Sequence, residues 1–80
     1  MIVRLRLFAS YAEAFGRDEI VLDVPHGSRA GDVLDAVRAR PGAERLPPQP
    51  LLAVNRVYAT THTKLSEGDE LALIPPVAGG

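Results

Sequence analysis

The 80-residue chain contains no cysteine. Disulfides, thiolate metal sites and a cysteine nucleophile are therefore excluded, and any sulfur handled here must arrive from elsewhere. Lys64 is the single lysine, which makes the chain a poor acceptor for conjugation to itself. No apolar stretch approaches the ~20 residues that a membrane span needs. Nine lysines and arginines stand against ten acids, a net charge of −1. That balance gives no bulk attraction for nucleic acid. His26 and His62 are isolated, without clustered carboxylates, which is the pattern of surface residues rather than metal ligands. No glycine-rich G-x-x-x-x-G-K-S/T loop is present to cradle a phosphate. Met1-Ile2-Val3-Arg4 enters a strand pattern directly, with no signal peptide visible, and a cytoplasmic protein is the expectation.

What is present suffices for one domain. Hydrophobic residues make up 46% of the chain, enough for a core without metal or cofactor. In 2–8, Val3, Leu5 and Leu7 alternate with Arg4 and Arg6, the period of a strand with one buried face, and Phe8 falls on the polar side. Residues 10–15 are a short helix candidate stopped by Gly16. A second strand is expected at 19–24, where Ile20, Leu22 and Val24 share one face. After the turn Pro25-His26-Gly27, Ser28 is the expected N-cap of the main helix, with Asp32 near its positive end. Ala30, Val33, Leu34 and Val37 form its apolar stripe, and Pro41-Gly42 stops it. The proline-rich stretch 41–50 is an irregular crossing segment. Leu51–Val54 is an expected buried strand, Asn55-Arg56 a turn into Val57-Tyr58, and Ser66–Asp69 a turn into a last strand at 70–74. Asp69 and Glu70 are assigned to that turn, because neighbours on a strand point to opposite faces and make no acid pair.

This order predicts an α+β domain of the β-grasp type, as in ubiquitin, with a mixed sheet under one main helix. The body is expected over residues 1–74 and an extended, flexible tail over 75–80. Phe8, Tyr58 and Ile74 have no obvious place in the helix-facing core, and an exposed apolar cluster on a small domain is a docking surface. Phe8 and Ile74 also suit a core position. Arg4 and Arg6 are a solvated strand face, or meet acidic groups on a partner.

The tail Pro75-Pro76-Val77-Ala78-Gly79-Gly80 is the most informative stretch. Extended at about 3.3 Å per residue it reaches roughly 20 Å. The two prolines hold its base near polyproline geometry, and Gly79 and Gly80 lack the Cβ that would bar entry to a narrow channel. Such a tail delivers an α-carboxylate into another protein's active site. Two terminal glycines also suit an ordinary chain end.

Leu65-Ser66-Glu67-Gly68-Asp69-Glu70-Leu71-Ala72-Leu73-Ile74-Pro75-Pro76-Val77-Ala78-Gly79-Gly80, with Leu7-Phe8-Ala9, Gly16 and Leu52-Ala53-Val54-Asn55, resembles the small subunit of molybdopterin synthase, a ubiquitin-like sulfur carrier. The chain departs from that family in the first helix, where Ala12 stands at a position often held by arginine. The resemblance implies a non-catalytic, sulfur-donating subunit of a sulfurtransferase complex. Its Gly80 carboxylate would be adenylated by a ubiquitin-activating-like enzyme that uses ATP and Mg²⁺, with Gly79 giving access. A sulfur donor enzyme would convert it to a thiocarboxylate, and the loaded tail would enter the large subunit in a heterotetramer. There it would donate sulfur to a pterin precursor in molybdenum cofactor biosynthesis. Phe8, Tyr58 and Ile74 would dock the partner, with Pro75, Pro76 and Val77 guiding the tail. No cofactor, metal, nucleic acid or membrane is expected to bind the chain itself. The alternatives are a ubiquitin-like modifier joined to target lysines, an inert binding module, or a sulfur carrier for thiamine, tRNA thiolation or an amino acid.

Overall fold

Residues 1–76 are described by the computed structural model. Strand β1 (Ile2–Leu7) buries Val3, Leu5 and Leu7, as its period of two requires. Helix α1 (Ala9–Phe15) ends where Gly16 takes the left-handed conformation and donates its N–H to the carbonyls of Ala12 and Glu13. Strand β2 (Glu19–Asp23) follows. Helix α2 (Ala30–Arg38) buries Ala30, Val33, Leu34 and Val37, the stripe expected from their spacing. A 3₁₀ turn at Ala43–Arg45 adds local order to the proline-rich segment. Strands β3 (Leu51–Val54), β4 (Val57–Ala59) and β5 (Glu70–Ile74) complete the chain order.

Two local expectations are corrected. The N-cap of α2 is Arg29, not Ser28. Ser28 is buried and lends only its backbone, donating to the Pro25 carbonyl and accepting from the Leu65 N–H. Asp32 accepts the Arg29 N–H at 2.8 Å, while the free N–H groups of Ala30 and Gly31 donate to the carbonyls of Thr63 and Thr61. Partners some thirty residues away in sequence therefore do the work that a serine hydroxyl does locally in other helices. The run Leu51–Val54 is also not buried throughout, since Leu51 is exposed on the sheet face away from α2.

The five strands form one sheet in the order β2-β1-β5-β3-β4. The central β1–β5 pair is parallel and all other pairs are antiparallel. This is the expected β-grasp. Leu5 lies opposite Leu71 and Leu7 opposite Leu73, and these leucines join the α2 stripe in a single core. The turn before β5 fixes that register: Gly68 donates to the Ile2 carbonyl at 2.7 Å, and Arg4 donates to the Asp69 carbonyl at 2.9 Å. Among the described residues no helix is long and apolar enough to cross a membrane.

Gly42 shows how closely the crossing segment lies against α1. Its φ is +100°, and an added Cβ would collide with the Ala14 carbonyl oxygen. Gly16 shares the left-handed backbone but faces open space. Gly42→Ala should therefore cost about 2–4 kcal/mol in urea unfolding, combining left-handed strain with overpacking, and Gly16→Ala only about 1–2 kcal/mol. Equal losses would show that the contact with α1 is loose.

Candidate functional site

The sheet face away from α2 has no helix over it. Strand pairing brings Tyr58, Ala53, Ala72, Arg6 and Glu19 into one row across all five strands. Ala53 and Ala72 are small, so the row dips between Tyr58 and Arg6. Leu51 pairs with Ile74 on the same face. The dip is an open groove of about 510 Å³, floored by the two alanines and walled by Phe8, Tyr58 and Ile74, with Arg6, Arg56 and Glu70 around them.

Each wall has its own support. Phe8 is the extended residue just before α1, and Ala9 follows it at φ +46°. That left-handed step costs a non-glycine residue about 1–2 kcal/mol. The chain turns there, leaving Phe8 44% exposed on the open face while Tyr11 enters the core. Tyr58, 73% exposed, sits on edge strand β4 after a two-residue turn in which Asn55 and Arg56 both have positive φ. This is the hairpin geometry that suits asparagine. The Asn55 amide donates to Asp69 Oδ1 at 2.9 Å, and its side-chain oxygen accepts the Glu70 N–H at 3.0 Å. Asp69 Oδ2 accepts the Ser66 N–H at 2.7 Å. Asp69 thus has the expected turn role, whereas Glu70, expected in the same turn, is the first residue of β5 and lines the groove. The Asn55 bonds clamp the β3–β4 hairpin to the start of β5.

Arg6 is half-buried, with its guanidinium carbon 5.9 Å from the Phe8 ring centroid. That stacking is worth about 0.5–1 kcal/mol and restrains the side chain beside the groove. Ile74 is half-buried and is the last residue of β5. Pro75 has no N–H to extend a ladder that is paired on both sides, so β5 ends there. Pro76 is exposed and lines a smaller depression with Tyr11, Pro50, Leu51 and Ile74.

The structure therefore gathers Phe8, Tyr58 and Ile74 on one face and places Pro75 and Pro76 directly beyond it. Val77, Gly79 and Gly80 lie outside the described residues. Ala12 is partly buried against the core. Ala53, Ala72 and Arg56 were not singled out from the sequence, and Arg6 was seen only as one of two strand-face arginines. Alternation shows which face a residue is on, but only the register shows that two alanines adjoin between a tyrosine and an arginine. Among the described residues the groove has no histidine, and Glu70 is its lone carboxylate. His26 and His62 are exposed, and among the described residues no three His, Cys, Asp or Glu residues gather as metal ligands.

Comparison with known proteins places this arrangement. A family match described as the ThiS family covers residues 5–80. The chain belongs to the ThiS family. It is 34% identical to the molybdopterin synthase sulfur carrier subunit of Arabidopsis thaliana over 79 residues, covering 98% of this chain and 82% of that protein. It is 37% identical over 84 residues to small archaeal modifier protein 1 of Haloferax volcanii, covering 94% of this chain and 97% of that protein. The crystal structure of SAMP1 from Haloferax volcanii has a TM-score of 0.87 at 31% identity and covers each chain fully. The resemblance read from Leu65–Gly80 is borne out by this ThiS-family membership and by the sulfur carrier relative.

Exposure separates the two tyrosines of this ThiS-family protein. Tyr58→Ala should change unfolding free energy by no more than about 0.5 kcal/mol, as at most surface sites. Tyr11, 3% exposed, should cost about 3–5 kcal/mol when cut to alanine. Paired urea titrations check both values. A large loss at Tyr58 would make it a packing residue and remove it from the open face.

Proposed function

We propose that this protein is the sulfur carrier subunit of a molybdopterin synthase, with the Gly80 α-carboxylate as its working group. The observation that carries this reading is the match to a protein named molybdopterin synthase sulfur carrier subunit over 98% of the chain. The geometry supports it, because the open apolar groove lies beside the root of the tail.

The carboxylate is ionised at neutral pH, since an α-carboxyl pKa is about 3.3–3.7. It is a poor electrophile and a serviceable nucleophile. Attack of a carboxylate oxygen on the α-phosphate of ATP expels pyrophosphate and gives an acyl-adenylate. A persulfide on a sulfur donor enzyme then displaces AMP, and thiol cleavage of the S–S bond leaves the thiocarboxylate. Cationic groups and Mg²⁺ for the first step come from an activating-like adenylyltransferase. The large subunit, two copies with two carriers, then receives the loaded tail and passes sulfur to a pterin precursor. Phe8, Tyr58 and Ile74 dock these partners, Pro75, Pro76 and Val77 aim the tail, and Gly79 admits it. The cytoplasm is the setting of this reading.

A second reading is favoured by the small archaeal modifier relative: Gly80 joined through an isopeptide bond to target lysines. Intact mass after incubation with host extract, ATP, Mg²⁺ and a persulfide donor separates the two. Exchange of one oxygen for sulfur, absent when Gly80 is deleted, is the expected result, whereas lysine adducts would favour the modifier. An unchanged mass without any AMP adduct would overturn both. One residue appended after Gly80 should abolish the exchange, and a protein that merely docks its tail would tolerate the addition.

A further inference from the structure

We infer that the groove is a socket for a carboxylate side chain that stands beside an apolar one on the partner protein, with Arg6 and Arg56 as its cationic walls. This rests on the docking role proposed for Phe8, Tyr58 and Ile74, and names the chemistry of what they dock.

The first observation is an unmet donor. Arg6 Nε is shut off from solvent and bonds to no described residue. An unsatisfied buried donor is expensive, and a charged one more so, so this guanidinium gains from any anion that reaches its other N–H groups from the groove. The second is the charge around it. Arg6 and Arg56 line the groove with a single acid, Glu70, and Arg4 lies on the same face. Glu19 lies opposite Arg6 in the β1–β2 register. Neither acid forms an ion pair with them: among the described residues the one ion pair lies elsewhere, between the Met1 amino group and Asp23. The third is shape. Ala53 and Ala72 leave room between Tyr58 and Arg6, and stacking on Phe8 holds the guanidinium beside that room. A held guanidinium offers two parallel N–H groups to a carboxylate. The apolar walls favour a protein segment over a free phosphate, which would lose its hydration against Phe8, Tyr58 and Ile74.

Two measurements test the socket. In the first, hexanoate and its uncharged isostere hexanamide are titrated into labelled full-length protein and followed by NMR. Hexanoate should move the Arg6 Nε–H and Tyr58 resonances saturably and bind at least about fivefold tighter than hexanamide, and Arg6→Gln should remove the difference. Equal binding of the two probes, or no response at Arg6, overturns the proposal. Movement of the same resonances on protein concentration alone would make a second copy the occupant and also overturn it. In the second, affinity for the molybdopterin synthase large subunit should fall about tenfold or more in Arg6→Gln, and Arg6→Lys should recover only part. Arg4→Gln should stay within about twofold and melt with the parent, and Arg6→Gln, which loses the Phe8 contact, should melt no more than about 8 °C lower. Wild-type affinity retained by Arg6→Gln overturns the socket. If the wild-type chain fails to bind the large subunit, the proposed function is what falls, and the hexanoate comparison still decides the socket.

Discussion

The parallel pairing of β1 with β5 is the constraint on which both faces of this sheet depend. With Leu5 opposite Leu71 and Leu7 opposite Leu73, the side chains beneath α2 form a continuous apolar layer. The same register sets Arg6 beside Ala72 on the other face. A slip of one residue would turn leucines outward and bury charge, so burial on one side enforces the arrangement on the other. The groove takes its register from the core, while the Asn55 bonds to Asp69 and Glu70 and the Arg6–Phe8 contact hold its walls.

The two faces divide the work of the molecule. Under α2, large aliphatic side chains are almost fully excluded from solvent. On the open face, Phe8, Leu51 and Tyr58 remain exposed around a floor of alanines. Exposed aromatic area of this kind is poorly explained by the stability of a domain that already has a complete core. It lies next to the point where Pro75 ends the central strand, so a partner seated on the groove is also seated at the base of the tail. The groove and the start of the tail are thereby held side by side through β5.

Much of the architecture was legible in the residues because its signals are local. The alternation of Val3, Leu5 and Leu7, the helical spacing of Ala30, Val33, Leu34 and Val37, and the turn at Ser66–Asp69 each need only a short window. Phe8, Tyr58 and Ile74 were recognisable as apolar residues out of place. The errors fall where the deciding partner is remote. Ser28 looked like a helix cap, but the first turn of α2 is satisfied by Thr61 and Thr63 carbonyls. Leu51 looked buried within an apolar run, but its position across from Ile74 puts it on the uncovered face.

The sequence by itself determined the element order, the core stripe and the β-grasp class, since periodicity and turn residues act through immediate neighbours. Tertiary structure alone decided that Ala53 and Ala72 adjoin, that Arg6 is half-buried beside Phe8 with an unmet donor, and that Asn55 ties the hairpin to β5. Those facts depend on strand register, which is set by packing among residues far apart in the chain. No local pattern encodes which side chain will stand across the sheet from another.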